Sequence, residues 1–381
     1  MSRRAIIIGA GIGGLAAGIA LGNVGVDVEI YEQSEGLSEV GAGITLYGNA
    51  LKALARIGLD RVVAEHGAFA RSGRYTTSGG RVLTEFGEKH SRNLQMLGIH
   101  RGDLMDCLAN RFGKDEIKLG RKFVEYDQDE SGVIASFEDG SVARGNLLVG
   151  ADGLRSAVAR QMHGDTAPRY SGSFAWRGVS ELAHEKLPFG SGLISFGRGL
   201  QFGAVHIGGG KIYWFGAVND PEGHGGRSGI KDVLSVFGDW HEPIADLIES
   251  TPEAELLTHD LYDRDPRPFW AAGRIALLGD AAHPMVPYMG QGGCQALEDA
   301  VLLAFALKFE ARPDVALGLY EFERRTRAES FVVGSRKAQT LTMTSTAPAC
   351  LFRDLGLSLM PKSILLKQFH TLSSHHLPNL V

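Results

Sequence analysis

The sequence predicts an α/β fold: a Rossmann-like βαβ core, an inserted antiparallel sheet and a helical C-terminal segment. Three observations carry this reading. An apolar run over 5–8 is followed by Gly9-Ala10-Gly11-Ile12-Gly13-Gly14, a small apolar stretch, and a second apolar run over 26–31 that ends on Glu32. A later apolar run over 274–278 ends in Gly279-Asp280 and is followed by Gly290-Gln291-Gly292-Gly293 and a long helical pattern. Between the two, from about 170 to 262, short runs of strand-like hydrophobicity alternate with glycine turns.

The first stretch has the order strand, glycine turn, helix, strand, acid of a dinucleotide-binding unit. Gly9 lets the chain turn off the strand, and Gly11 lets backbone approach a pyrophosphate with no Cβ in the way. Gly14 lets the helix pack close to the sheet, while its unpaired N–H groups and positive end face the phosphates. Glu32, at the end of the second strand, is placed to accept hydrogen bonds from ribose hydroxyls. Arg3-Arg4 before an apolar run imitates a signal peptide, but cleavage would destroy a complete motif, so no targeting segment is expected.

The remaining elements follow in order. Gly41 and Gly43 sit where a flat ligand could lie against backbone, and Leu51, Leu54 and Ile57 set a helix over 49–57. The stretch 70–97 is strand-like, with Gly79-Gly80 as a turn, and His100-Arg101-Gly102-Asp103 opens a helix over 104–112. Strands are expected over 117–126, 133–137 and 147–150, the last running into Asp152-Gly153 with Arg160 one turn on. The middle block has strands over 174–179, 192–196, 201–207 and 211–218, an amphipathic helix over 232–250 and a strand over 256–262. A helix over 294–309 carries Glu298-Asp299 in its early turns, and helical pattern continues to about 345. The stretch 350–369, interrupted by Pro361, reads as a helix pair packed on the body or on a second subunit.

Composition narrows the function. The 381 residues exceed one typical core, and 44% hydrophobic with 22% charged residues is ordinary for a globular protein. A net charge of −5 without a long basic run gives nucleic-acid binding no electrostatic support. Cys107, Cys294 and Cys350 are too few and too scattered for a disulfide framework or a zinc site, so no metal is expected and a reducing cytoplasm is. No run of about 20 apolar residues predicts a membrane span.

The three motifs together, GAGIGG with Glu32, GADGLRS with Arg160, and GDAAHPMVPYMGQGG, resemble those of the FAD-dependent class A aromatic hydroxylases, which share the p-hydroxybenzoate hydroxylase fold. The similarity covers roughly 4–340, and the bacterial urate hydroxylase and zeaxanthin epoxidase branches look closest. It implies that Gly9, Gly11, Gly13, Gly14, Glu32 and Gln33 hold the ADP part of FAD, and that Arg101 contacts the ribityl–phosphate part. Asp152 matches a motif tied to both FAD and NAD(P)H use. Asp280 matches the acid on the ribityl chain, Gly290, Gln291, Gly292 and Gly293 match backbone at the pyrimidine edge, and Thr45 a position beside the flavin. Gly48 stands where many relatives have proline, and Gln201 where the urate branch carries arginine, which speaks against urate itself. The implied domains are an FAD-binding domain (1–72, 98–168 and 270–345), a substrate-binding sheet domain (73–97 and 169–269) and a tail (346–381).

The resemblance implies a monooxygenase in which NADH or NADPH reduces bound FAD and O2 then gives a C4a-hydroperoxyflavin that hydroxylates an aromatic or heteroaromatic small molecule. An epoxidase of an alkene or polyene is the alternative within this chemistry; a halogenase is disfavoured because no WxWxIP segment is present. A non-catalytic flavin-binding protein is the alternative outside it. Phe196, Phe202, Val205, Trp214 and Phe215 are candidates for the pocket, about half of them facing it by alternation. A base would speed reaction of a phenol, with His206, Tyr213, Tyr47 and His283 as candidates, and Arg177 and Arg198 could bind a substrate carboxylate. A monomer or homodimer is expected.

Overall fold

The computed structural model describes residues 3–37, 42–87, 95–223, 229–364, 367, 371 and 374–380. The chain opens with β1 (Arg4–Ile8), α1 (Ile12–Asn23) and β2 (Asp27–Tyr31), then β3 (Gly43–Leu46), α2 (Gly48–Arg56), α3 (Asp60–His66) and β4 (Ala68–Phe69). A hairpin of β5 (Ser72–Thr77) and β6 (Val82–Phe86) is followed by β7 (Leu97–His100) and α4 (Arg101–Phe112). Next come β8 (Phe123–Gln128), β9 (Val133–Phe137), β10 (Val142–Gly145), β11 (Leu147–Gly150) and α5 (Ala157–His163). The middle block holds β12 (Arg169–Ser180), β13 (Ser191–Phe196), β14 (Leu200–His206), β15 (Ile212–Asn219), α6 (Ile230–Phe237), α7 (Ile244–Glu249) and β16 (Leu257–Asp263). The last part runs through β17 (Ala271–Ala272), β18 (Ile275–Leu277), α8 (Gly292–Phe309), α9 (Pro313–Thr342) and α10 (Ala347–Leu359).

Two large sheets organise these elements. A five-stranded sheet in the order β17-β18-β11-β1-β2 is parallel except for β17. Its strands are buried runs rather than alternating ones, because helices cover both faces. α1 is apolar around its circumference, with Ile12, Leu15, Ile19 and Leu21 all buried, as a helix between a sheet and α8 must be. A seven-stranded sheet in the order β16-β12-β15-β14-β13-β5-β6 is antiparallel except where β13 meets β5. Smaller sheets, β3-β7-β4 and β10-β9-β8, flank them.

Alternation divides the seven-stranded sheet into two faces. Phe174, Trp176, Phe202, Ala204, Trp214 and Val218 pack under α6 and α7 against Phe237, Leu247 and Ile248. Each large side chain so buried contributes roughly 1.5–3 kcal/mol. The other face carries Arg177, Tyr213, Phe215, Gln201, Phe196 and Tyr75, and the loop Pro287–Met289 lies against it through Tyr288, which packs with Ala175 and Ala217.

Several expectations are corrected here. The single helix over 232–250 is two, because Gly238 ends α6 and Pro243 stands before α7, where it lacks the N–H that a continuous helix needs. The strand expected over 117–126 begins only at Phe123; Lys118 makes just an isolated bridge to Tyr31. The stretch 70–97 supplies β5 and β6 to the large sheet, whereas β7 pairs with β3 and β4. Gly41 lies outside the described residues, as does much of the tail beyond Ile364, including Phe369. The tail nonetheless returns to the body: Leu377 and Leu380 are buried, and Arg56 and Lys308 donate to their carbonyl oxygens.

Candidate active site

A cavity of about 620 Å³ opens at the carboxyl ends of β1, β2, β11 and β18, where open parallel sheets hold their ligands. Gly9, Gly11, Gly13, Glu32, Gln33, Arg101, Asp152, Asp280, Gly292 and Gly293 all line it. So does Arg155 of the GADGLRS motif, together with Ser34, Ile44, Met105 and Arg121, which the sequence did not single out. Gly14 is not in the wall. Its missing Cβ would strike the Gly9 carbonyl oxygen, so it serves close helix packing. Gly9 holds φ +103, a conformation open to glycine, and carries the chain off the strand. A Cβ on Gly11, by contrast, would meet no protein atom within 4 Å. The space it would fill is open and is part of the cavity.

The polar groups around the cavity are held by backbone. Glu32 accepts from Ala10 N at 2.8 Å and Ser34 N at 2.9 Å, which fixes the carboxylate beside the glycine turn. Asp152 accepts from Ser156 Oγ (2.5 Å), Ala157 N (2.7 Å) and Val158 N (3.2 Å), so it caps α5 as well as facing the cavity. Burial raises its carboxyl, against the pull of those donors. Burial also raises Asp280, with His283 and Arg101 opposing and Asp299 reinforcing. Neither α1 nor α8 has a side-chain cap or an acidic residue in its first turn. Both N-termini therefore offer bare N–H groups and a positive end. These features fit a flavin dinucleotide: open glycine backbone for a pyrophosphate, Glu32 for ribose and Asp280 for a polyol.

Beneath the start of α8 lies a buried charge network. Arg324 donates to Asp299 Oδ1 at 2.7 Å, Glu298 Oε2 at 2.6 Å and Gln295 Oε1 at 2.7 Å. Arg327 grips both Glu298 oxygens, and His283 Nε2 lies 2.6 Å from Asp299 Oδ2. Burial would raise both acids, but Arg324 and Arg327 pull Glu298 to about 2, and His283 and Arg324 pull Asp299 to about 2. Asn49 donates to Glu298 Oε1 and to Gln291 Oε1, tying α2 into the same network. His283 and Gln291 are thus supports of the loop that carries Gly290–Gly293. Gly290 and Gln291 do not line the cavity; a Cβ on Gly290 would crowd the Tyr47 ring, and Gln291 is buried. Thr45 does not line it either, and its carbonyl accepts from Cys294 Sγ at 3.7 Å. α8 begins at Gly292, two residues earlier than expected, which puts Gly292 and Gly293 in its first turn.

The substrate-face candidates separate. Phe202 and Trp214 pack under the helices, not over the open face, which corrects their assignment; Phe196, Val205 and Phe215 belong to the face turned toward the loop Pro287–Met289. His206 shares the parity of Phe202, and its Nε2 lies 3.1 Å from Leu187 O. As a base it is misplaced. Tyr213 is on the right face, against Gly43, but burial raises its phenol, with Arg177 and Arg101 opposing. Tyr47 is raised well above an ordinary phenol by burial, so both tyrosines are protonated near neutral pH. Arg177 faces the site beside Tyr213 and His259. Arg198 is exposed and donates to Ser345 O.

The glycine-lined cavity adjoins the open face of the antiparallel sheet, since Gly43, next to the lining residue Ile44, packs against Tyr213; this is the arrangement of a Rossmann-like domain joined to a second sheet. A family model described as "FAD binding domain" matches residues 3–187 and 265–335. The aurachin C monooxygenase/isomerase of Stigmatella aurantiaca is 41% identical over 366 residues, covering 93% of this chain and 94% of that protein. An FAD-dependent urate hydroxylase of Klebsiella pneumoniae is 32% identical, covering 89% and 90%. The structure of Klebsiella pneumoniae HpxO complexed with FAD and uric acid superposes with a TM-score of 0.92 at 28% identity, over 98% of this chain and 97% of that one. The chain belongs to the FAD-dependent aromatic hydroxylase family and is a flavoprotein monooxygenase.

Proposed function

We propose that this enzyme hydroxylates a flat aromatic or heteroaromatic small molecule, using NADH or NADPH and O2. The observation that carries this reading is the contact between the cavity edge and the large sheet, where Gly43, next to the lining residue Ile44, packs against Tyr213. Bound FAD would pass electrons from NAD(P)H and activate O2; the protein binds, orients and excludes water. Gly11 and Gly13 with the α1 N-terminus would hold the pyrophosphate, Glu32 and Gln33 the adenosine ribose, and Arg101 and Asp280 the ribityl part. Asp152 would hold the turn before α5 at the same cavity. Gly292 and Gly293 at the α8 N-terminus would face the flavin's pyrimidine edge, where a positive helix end favours negative charge, with Gly290, Gln291 and Thr45 supporting them from behind the cavity wall. The 73–97 and 169–269 segments would form the substrate domain, packed on the nucleotide domain.

Among the described residues no helix is long and apolar enough to cross a membrane. The free cysteines suit a reducing cytoplasm, where we place the enzyme as a monomer or homodimer.

The test is a substrate screen that follows NAD(P)H consumption and product together under 18O2. Ligand-stimulated consumption with one labelled oxygen in the product is expected. Retained FAD with no stimulation by any aromatic ligand would support a flavin-binding protein without turnover instead, and a labelled epoxide from an alkene would support the epoxidase.

A further inference from the structure

We propose that Gln201 sets substrate class: it receives the uncharged amide-like edge, N–H beside C=O, of a flat heteroaromatic lactam. This rests on the hydroxylase reading above. Gln201 is 5% exposed, and its side-chain Oε1 is buried with no hydrogen-bond partner. A buried amide oxygen without a partner is expensive, on the scale of a lost hydrogen bond. Exchanging the amide's oxygen and nitrogen would only orphan a donor in place of an acceptor.

Its place on the sheet says what would satisfy it. Gln201 pairs with Phe196 on one side and Ala217 on the other, and Ala217 packs with Tyr288 of the loop leading into Gly290–Gly293. Two residues along β14, Gly203 leaves room for the Phe215 ring, which would strike a Cβ there and so lies flat against the sheet. An apolar floor, an orphaned amide and the flavin-motif loop thus meet on one face.

Charge decides between a neutral and an anionic partner. A cation at this corner, Arg353, stacks 5.1 Å over Phe196, pairs with Asp354 at 2.9 Å, and donates to Gly197 O and Thr342 O. Arg177 is two strands away, across β15, from Gln201 on β14. An anion held at Gln201 would be desolvated beside a cation already neutralised. A lactam edge offers one donor and one acceptor, matching the two ends of a primary amide. A buried site built to hydrogen-bond also rejects analogues lacking the group more sharply than an apolar pocket does.

The experiment titrates FAD-loaded holoenzyme with 2-quinolone, a bicyclic lactam, and separately with salicylate, an aromatic carboxylate, reading flavin absorbance. Wild type is expected to bind 2-quinolone at least about tenfold tighter than salicylate. Gln201→Leu, close in volume, is expected to weaken 2-quinolone about tenfold, leave salicylate within about twofold, and not lower the melting temperature of the ligand-free protein. Gln201→Arg is expected to shift preference toward salicylate. The inference is overturned by unchanged 2-quinolone affinity in Gln201→Leu, by a wild-type preference for salicylate, by no response to either probe, or by a lowered melting temperature in Gln201→Leu, which would make Gln201 a packing residue. Protein that holds no FAD overturns the hydroxylase reading beneath it instead.

Discussion

The cavity at the ends of the parallel strands and the open face of the seven-stranded sheet are built on opposite principles. The cavity wall is largely backbone: glycines at 9, 11, 13, 292 and 293, two uncapped helix ends, and carboxylates fixed by main-chain N–H groups. The sheet face is side chain: Tyr213, Phe215, Gln201 and Arg177 projecting from β12, β14 and β15. Backbone recognition needs glycine at fixed spacing, because one Cβ would destroy the fit, so it leaves a pattern in the sequence. Side-chain recognition needs only that some residue project from a strand, so the pattern is silent and substrate choice is free to vary.

The largest test of this contrast is beneath the cavity. Arg324→Met leaves Glu298 and Asp299 as buried, poorly compensated charges and is expected to destabilise the protein by about 3–5 kcal/mol, measured by urea unfolding. Loss of FAD should follow, since the network supports the start of α8. A stability within about 1 kcal/mol of wild type would mean that the support lies elsewhere.

Next in size is the pH dependence of the returning tail. His375 lies 3.8 Å from Glu298. Burial lowers the imidazole to about 4, against the pull of Glu298. Its folded value lies below its unfolded one, so the unfolded chain binds the extra proton. Stability is therefore intact above about pH 6.5 and declines as pH falls toward about 4. The Glu298 and Asp299 contributions, with folded values of about 2, are lost only below their unfolded values. Melting curves of His375→Gln should flatten the decline between pH 6.5 and 4 and keep the loss at lower pH.

Smaller effects are expected on the sheet face. Tyr213→Phe removes a phenol that burial keeps protonated, so substrate KM should rise by a few-fold while the pH profile of kcat between 7 and 9 stays the same. A missing alkaline limb in the variant would restore Tyr213 as a base. The smallest effect is assigned to His206→Gln, on the helix-covered face, where steady-state kinetics should match wild type within about twofold. A loss of a hundredfold or more in kcat would contradict the division of the faces.

Legibility in the sequence tracks the same division. Gly9 to Glu32 and Asp280 to Gly293 were readable because turn, close approach and helix end each demand a residue type at a set spacing. The strands of the large sheet were readable as strands, but not which parity faced the site. That parity placed Trp214 and Phe202 under α6 and α7 and left Phe215 and Gln201 on the open side. Glu298-Asp299 stood out as two acids in a helix, yet their partner Arg324 lies on the next helix, α9, with no local signal joining them. Arg121 lines the cavity for the same reason, brought there by fold rather than motif.

The most direct measurement is an FAD titration of apo Gly11→Ala by calorimetry, beside the melting temperature of the same apo protein. Gly11 holds φ −73, open to alanine, and its new Cβ would touch no protein atom within 4 Å. An unchanged apo melting temperature with FAD affinity down at least about tenfold is the predicted result. Wild-type FAD affinity in that variant would contradict the account, because the space beside Gly11 would then not be the flavin's.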